Sequence, residues 1–264
     1  MNDRLAALRA APRPTARYRS SKAPDDKLVR DRLRCVAQER PRFGWRRLKI
    51  LLKREGIEMN HKRLRRLYRD EHLQVRPRRK RRVRLVRGNV SPAPTRTNEE
   101  WGLDFMHEYL MTKRKARLLT IEDRFTREGL ALDPDFSLTS RRVIRTLDSI
   151  AELRGYPSRL RVDNGPENVA GAMLQWSVDH DVLLHLIDPG KPAQNAWIES
   201  FNARVRDEFL NVQAFWTLSD IRDAADAWLD DYNEVRPHSS LNYLTPKEFA
   251  EALTTQPIPQ LPAA

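Results

Sequence analysis

The chain has 264 residues, a hydrophobic content of 40% and a formal net charge of +13 at pH 7. This length accommodates one large or two modest domains with a substantial core. Its only cysteine, Cys35, excludes an internal disulfide and a cysteine-based zinc site, and it indicates a reducing compartment. Charges interrupt the N-terminal segment, and no apolar run approaches the ~20 residues of a membrane span. We therefore expect a cytoplasmic protein without a membrane partner.

Charge is distributed unevenly along the chain. Residues 1–100 contain 31 Lys and Arg against 11 Asp and Glu, whereas the remaining 164 residues contain 18 basic and 25 acidic groups. The N-terminal region thus carries a net charge of +20, and the C-terminal region carries a net charge of −7. A scattered excess of basic residues would serve solubility, but this segregation indicates a polyanion-binding module joined to a different domain.

The apolar spacing after an N-terminal tail (1–24) predicts a small helical domain over residues 25–75. Helices are expected at Asp25–Glu39, from Trp45 to the region of Gly56, and after Asn60, which is a candidate N-cap. The last two helices and their turn are typical of a helix-turn-helix. The final helix is expected to present a basic face to DNA, formed by Lys62, Arg63, Arg65, Arg66 and Arg69. A solvated surface helix is the alternative interpretation of this face.

A basic linker is predicted over residues 76–98. Its segment from Arg76 to Arg87 has eight basic residues in twelve, so mutual repulsion should keep it disordered until a polyanion neutralises it. The candidate DNA contacts in this segment are Arg78, Arg79, Lys80, Arg81 and Arg82.

The pattern from residue 99 to residue 252 is that of a mixed α/β domain, and residues 253–264 form a tail. Alternation and apolar runs predict strands at Trp101–Met106, Arg117–Phe125, Glu128–Phe136 and Leu160–Val162, and a buried strand at Val182–Ile187. Helical spacing predicts helices at Thr139–Arg154, Val169–His180, Asn195–Leu210 and Ser219–Asn233, the last capped by Ser219 or Asp220.

Three carboxylates occupy unusual positions in this domain. Asp104 lies inside an apolar strand, where an unpaired carboxylate is costly. Asp163 directly follows a short strand, at the strand end where open α/β sheets place their sites. Glu199 shares the polar face of its helix with Asn195, Asn202 and Arg206. Each acid has a structural explanation by itself, but together the three could gather two hard cations.

The segments around these acids resemble the three motifs of the integrase catalytic core. They are Trp101–Phe105, Val162–Glu167 and Asn195–Asn202, and the 35 residues between Asp163 and Glu199 match the spacing of the D,D(35)E class. Further segments, including Arg42–Arg47, Pro189–Pro192 and Tyr232–Leu241, are similar to the second-frame product of the third bacterial insertion-sequence family. The resemblance covers roughly residues 25–250.

This resemblance implies a ribonuclease H-like fold and a transposase that cleaves DNA and transfers strands at insertion-sequence ends. It implies that Asp104, Asp163 and Glu199 hold two Mg²⁺ ions, for which Mn²⁺ can substitute, and form no covalent intermediate. The implied partners are double-stranded DNA at the element ends and at the target, further copies of the chain on DNA, and an upstream-frame protein or fusion. The expected location is the cytoplasm, in association with the nucleoid.

The chain departs from the family pattern at two places. Asn168 stands where an aromatic residue is common, and Arg124 follows the adjacent acids Glu122 and Asp123. Neither departure is expected to touch the three carboxylates. Beside the metals, candidate DNA contacts are Lys191, Asn195, Asn202 and Arg206, for which helix capping and surface solvation are the alternative roles.

Two other functions remain compatible with the sequence. One is a non-catalytic DNA-binding protein, a domesticated or truncated relative acting as a repressor. The other is a ribonuclease H-like nuclease of repair or RNA turnover, which would cleave without joining strands. The intact set of acids favours a recombinase, since a non-catalytic binder has no physical reason to keep a cluster that demands cations.

Overall fold

The structure is a computed structural model and describes residues 26–75, 92–188 and 192–255. The chain divides into two compact units between Arg76 and Pro77. Outside the described residues lie the N-terminal tail, residues 256–264, most of the basic linker and several candidate DNA contacts, namely Arg78, Arg79, Lys80, Arg81, Arg82 and Lys191. Within the described ranges, no helix combines the length and the apolar character needed to cross a bilayer.

The first unit consists of three helices, α1 (Asp26–Glu39), α2 (Trp45–Arg54) and α3 (His61–Asp70). The predicted N-cap is confirmed, because the side chain of Asn60 accepts a hydrogen bond from the backbone N–H of Lys62 at 2.8 Å. Gly56 follows α2 with a φ of +83°, a conformation that favours glycine. The apolar stripes of the three helices meet in one core, which includes Leu33, Leu48, Leu52, Leu64 and Leu67.

The second unit is built on a mixed sheet of five strands, as the sequence predicts. The strands are β1 (Glu100–Tyr109), β2 (Lys115–Asp123), β3 (Gly129–Asp135), β4 (Arg159–Val162) and β5 (Leu183–Leu186), and their order in the sheet is β3-β2-β1-β4-β5. The pairs β1–β2 and β2–β3 are antiparallel, whereas β4 pairs in parallel with both β1 and β5.

Helices cover both faces of this sheet. The helices of this unit are α4 (Ser140–Arg154), α5 (Gly171–Asp179), α6 (Ala196–Val205), α7 (Leu218–Glu234) and α8 (Pro246–Thr255). On one face α4 and α5 enclose a core with Trp101 and Leu103 of β1. On the other face α6 and α7 enclose a second core with Met106 of β1 and Leu118 of β2. The unit therefore has three layers, and the α6 layer faces the side of β1 that carries Asp104.

Three sequence predictions about these elements were wrong in detail. Strand β5 is not buried: it lies at the end of the sheet order, and the side chain of Leu183 is 62% exposed. The predicted helix Asn195–Leu210 consists of a 3-10 turn (Pro192–Asn195), α6 and a π-helical turn (Arg206–Leu210). The cap of α7 is Thr217, two residues before Ser219, because a reciprocal capping box with Asp220 satisfies the first backbone N–H groups.

Gly102 of β1 lies under the indole ring of Trp197, a residue of α6. A Cβ atom at position 102 would lie 2.2 Å from the Trp197 ring, so glycine permits the close approach of α6 to β1. We expect Gly102→Ala to lower the free energy of unfolding by about 1–3 kcal/mol because the ring must shift. Denaturant unfolding measures this loss. Gly171→Ala is the control, since a Cβ there meets no atom within 4 Å and should leave stability unchanged or slightly higher.

Candidate active site

Asp104 and Asp163 lie on neighbouring parallel strands. Trp101 pairs with Leu160 and Gly102 with Arg161, and continuing this register by two residues brings Asp104 level with Asp163. Asp104 is half-buried, and its Oδ1 accepts a hydrogen bond from the N–H of Phe105 at 2.8 Å. The alternation of β1 turns Asp104 toward the same face as Gly102, which is the face that α6 covers.

Asp163 begins the loop that follows β4, and local donors hold its carboxylate. Its Oδ1 accepts one hydrogen bond from the N–H of Gly165 at 3.0 Å and another from the side-chain amide of Asn168 at 2.7 Å. A Cβ at position 165 would lie 2.9 Å from that oxygen, so a larger residue there would displace the Asp163 carboxylate. Asn164 ties the same loop to the end of β5 by donating to the carbonyl of Ile187 at 2.8 Å.

Glu199 lies in the first turn of α6 and is exposed. The opposite side of the helix is buried through Ile198, Phe201 and Val205, as the apolar spacing predicts. One turn after Glu199, the side-chain amide of Asn202 donates to Oδ2 of Asp104 at 2.8 Å. This bond joins residues 98 positions apart and fixes the acidic turn of α6 against β1.

The three carboxylates act on one another electrostatically. Burial raises the pKa of the Asp104 carboxyl to about 6, and the negative charges of Asp163 and Glu199 act in the same direction. Hydrogen bonds from the Phe105 N–H and the Asn202 amide oppose this rise. Within the described ranges no three side chains of His, Cys, Asp or Glu are close enough to hold one ion together. Coordination of one ion by all three acids would therefore require at least one of them to move.

A buried charged network supports the ends of β4 and α6. The Arg161 side chain, 2% exposed, donates to Oε1 of Glu100 at 2.5 Å and to the carbonyl of Gln194 at 2.9 Å. The amide of Gln194 in turn accepts from the N–H of Asp188 and donates to the Asp188 carboxylate, both at 3.0 Å. Arg161 thus connects β1, β4 and the turn from which α6 begins.

The described residues of this unit that were predicted to contact DNA are buried or bonded to other residues of the protein. Arg206 pairs with Glu108 and donates to the carbonyl of His107. Asn195 is buried, and its Oδ1 has no hydrogen-bond partner in the described part of the protein. Asn202 is occupied by Asp104, as described above.

In the first unit, the basic face of α3 is divided. Arg63 donates to Oδ1 of the buried Asp26 at 2.7 Å, and Arg66 approaches the other oxygen of Asp26 at 3.5 Å. Lys62, Arg65 and Arg69 are exposed. The side chains of Lys62, Arg65 and Arg69 therefore point to solvent, whereas Arg63 joins α3 to α1 through Asp26.

Sequence reasoning missed one residue that contacts an acid of the site and one that supports the strand leading to it. The expectation that Asn168 does not touch the three acids was wrong, because its amide binds Asp163. Its position five residues after Asp163, just beyond the turn Asn164-Gly165-Pro166, is the signal that could have shown the contact. Arg161 was also missed, although a charged residue inside the apolar strand Leu160–Val162 indicates a buried ion pair.

One concavity of this unit lies away from the three carboxylates. It has a volume of about 800 Å³, lies between β3, α4 and α7, and is lined by residues such as Leu132, Ile150 and Leu229.

Two family models cover the second unit and one covers the first. Models described as "Integrase core domain" match residues 94–192 and 180–246, and a model described as "HTH-like domain" matches residues 23–81. The chain is 46% identical to an insertion element IS407 protein of 31.7 kDa from Burkholderia multivorans, over 86% of this chain and 82% of that protein. This chain belongs to the bacterial insertion-sequence transposases with an integrase core.

Another relative and a solved structure agree with this assignment. An insertion element IS476 protein of 39.2 kDa from Xanthomonas euvesicatoria is 40% identical over 95% of this chain and 70% of its own length. A chain of the simian T-cell lymphotropic virus intasome, solved in complex with the PP2A regulatory subunit B56 gamma, matches 81% of this transposase and 75% of its own length. Its TM-score is 0.53 and its sequence identity 17%, which confirms the predicted ribonuclease H-like fold.

Proposed function

We propose that this transposase cleaves DNA at the ends of its element and joins those ends to target DNA, with Asp104, Asp163 and Glu199 as catalytic residues. One observation carries the proposal. The hydrogen bond from Asn202 to Asp104 holds the turn of α6 that bears Glu199 against the strand next to Asp163. The proposal therefore directs three carboxylates distant in sequence to the point where β4 ends beside β1.

The donor set fits hard divalent cations. Carboxylate oxygens are the ligands that Mg²⁺ and Mn²⁺ prefer, and mutual repulsion in the cluster, which contributes to the raised pKa of Asp104, is relieved by positive charge. Bound cations would activate water or a DNA 3′-hydroxyl and stabilise the leaving 3′-oxygen.

Each acid has a distinct task in this proposal. Asp163 offers Oδ2, since its Oδ1 is held by Gly165 and Asn168. Asp104 would hold a cation through its carboxylate while keeping the bond from Asn202, because a carboxylate oxygen can accept from more than one partner. Glu199, exposed on α6, rotates toward the two aspartates. The protein supplies aligned oxygens at fixed positions and needs no serine or tyrosine nucleophile.

The first unit is proposed to bind double-stranded DNA. Its exposed residues Lys62, Arg65 and Arg69 form a basic surface on α3 suited to phosphates or guanine edges. The basic segment from Arg78 to Arg82, with Lys191, is proposed to extend the contact to the DNA backbone. We also propose that copies of the chain assemble on DNA, with an upstream-frame protein as a further partner.

The test compares wild type with Glu199→Gln on a supercoiled plasmid that carries the DNA flanking the gene, in the presence of Mg²⁺. We expect nicking and joining to fall by on the order of a thousandfold or more in Glu199→Gln. DNA binding should persist in a mobility-shift assay and weaken as salt rises. Glu152→Gln is the matched control, because Glu152 is an exposed helical glutamate on α4, and it should retain full activity.

The outcomes separate the three functions. Loss of cleavage and joining in Glu199→Gln alone supports the transposase. If wild type and Glu199→Gln both bind DNA and neither cleaves it, the chain is a non-catalytic DNA-binding protein. Cleavage without any joined product would indicate a nuclease of the same fold.

A further inference from the structure

Asn168 occupies an unusual position beside the site. It is fully buried, and its amide nitrogen donates to Oδ1 of Asp163 at 2.7 Å and approaches the Asp163 carbonyl at 3.4 Å. Its own backbone N–H donates to the carbonyl of Gly165 at 3.0 Å, so the side chain is fixed in the turn that carries Asp163. The residue departs from the integrase pattern, in which an aromatic side chain is common at this position.

The other end of the same amide has no partner. Oδ1 of Asn168 is buried and accepts no hydrogen bond from the described part of the protein. A buried acceptor left unpaired costs free energy, and an apolar side chain at position 168 would avoid that cost. Turning the amide over would place Oδ1 against the carboxylate oxygen of Asp163, which is repulsive. The contact with Asp163 therefore explains why an amide occupies position 168 and why its nitrogen faces the carboxylate.

This contact also selects which oxygen of Asp163 is offered to a ligand. Oδ1 already accepts from the Gly165 N–H and from Asn168, and two donors on one oxygen hold the carboxylate in a single rotamer. Oδ2 accepts no hydrogen bond from the described part of the protein, so it is the oxygen left to a ligand. A carboxylate held in this way needs no reorientation when it binds a cation.

We propose that Asn168 is a positioning residue that sets the cation affinity of the site by fixing the rotamer of Asp163. The inference rests on the proposed function, because it assumes that Asp163 binds a divalent cation. In this chain, the hydrogen bond from Asn168 to Asp163 is inferred to support the loop that carries Asp163.

The test measures cation binding to the full-length protein without DNA. The melting temperature is recorded as a function of Mn²⁺ concentration for wild type, Asn168→Leu and Asp163→Asn. We expect Asn168→Leu to weaken the apparent Mn²⁺ affinity about tenfold, the lower end of the effect of removing an outer hydrogen-bond partner of a ligand. In a cleavage assay, the Mn²⁺ concentration for half-maximal rate should rise by the same factor, while the rate at saturating Mn²⁺ stays within about twofold.

Asn233→Leu is the matched control. Asn233 exchanges two hydrogen bonds with the backbone of Gly129, at 2.8 and 2.9 Å, and so is an asparagine of structural role in the same unit. Its loss should lower the melting temperature without changing Mn²⁺ affinity. If Asn168→Leu does not fold, Asn168→Ala replaces it, since removal of the side chain adds no bulk.

The results distinguish this inference from the proposed function. If Mn²⁺ does not stabilise the wild type, or stabilises Asp163→Asn equally well, the metal site itself is wrong. If wild type responds, Asp163→Asn does not, and Asn168→Leu or Asn168→Ala binds Mn²⁺ as tightly as wild type, only the role of Asn168 is overturned.

Discussion

Replacing Asp104 by asparagine is expected to abolish strand cleavage and also to stabilise the metal-free protein. The pKa of Asp104 is raised to about 6 by burial and by the charges of Asp163 and Glu199, so the ionised carboxylate destabilises the fold at neutral pH. Asparagine keeps the acceptor for the Phe105 N–H. Its amide can donate to the unpartnered Oδ1 of Asn202 if that side chain turns over. We expect a gain on the order of 2 kcal/mol at pH 7.

The pH dependence of this gain follows from the direction of the shift. The Asp104 carboxyl titrates at about 3.9 in the unfolded chain and at about 6 in the folded protein. Below pH ~4 it is protonated in both states and costs nothing. As the pH rises toward the folded pKa, wild type loses stability that Asp104→Asn retains. The difference between the two proteins should thus be absent near pH 4 and complete above pH ~7.

Urea unfolding in the absence of divalent cations, at several pH values, measures this difference. Asp135→Asn is the control with the opposite sign. Burial opposes the shift, but hydrogen bonds from Phe136 and Ser137 and contacts with Arg142 and Arg222 lower the pKa of Asp135. Its removal should therefore destabilise the protein at pH 7. Equal stability of Asp104→Asn and wild type at that pH would contradict the cost of burying the ionised Asp104 carboxylate beside Asp163 and Glu199.

Much of the fold could be predicted because local patterns and packing agree. Alternation along β1 separates Trp101 and Leu103 from Gly102, and the structure packs them on opposite faces of the sheet. Helical spacing identified the buried stripe of α6, and Asn60 caps α3 as its residue type favours. Spacing also placed Asp163 at the end of a strand.

Other features depend on strand order or on specific side-chain contacts, and the periodicity of apolar residues does not predict these. The run Leu183–Leu186 has the composition of a central strand, but its position at the edge of the sheet leaves Leu183 exposed. Thr217 and Ser219 are both good caps, and the reciprocal bond with Asp220 selects Thr217. The contacts of the site also could not be predicted. Asn202 and Asp104 are separated by 98 positions in the sequence, and local sequence patterns carry no information about such a long-range contact.

The largest loss of stability is expected from Arg161→Leu. The substitution removes the donor of the buried Glu100 and leaves the carbonyl of Gln194 without its bond from Arg161. Breaking a buried ion pair costs about 3–5 kcal/mol because the remaining charge stays desolvated. Glu100 retains Arg124 at 2.8 Å, so we expect a value of about 3 kcal/mol. Denaturant unfolding measures this loss.

Arg222→Leu is the control, because it removes the same charged group from an exposed ion pair instead of a buried one. Arg222 pairs with Asp135 at 3.2 Å, but its side chain is 43% exposed, and exposed pairs contribute less than about 1 kcal/mol. Arg161→Lys should fall between the two variants, because one ammonium group keeps the charge near Glu100 but does not reproduce the planar fork that also reaches Gln194. If Arg161→Leu proved as stable as Arg222→Leu, the Glu100–Arg161–Gln194 network would not be what anchors the start of α6 to β4.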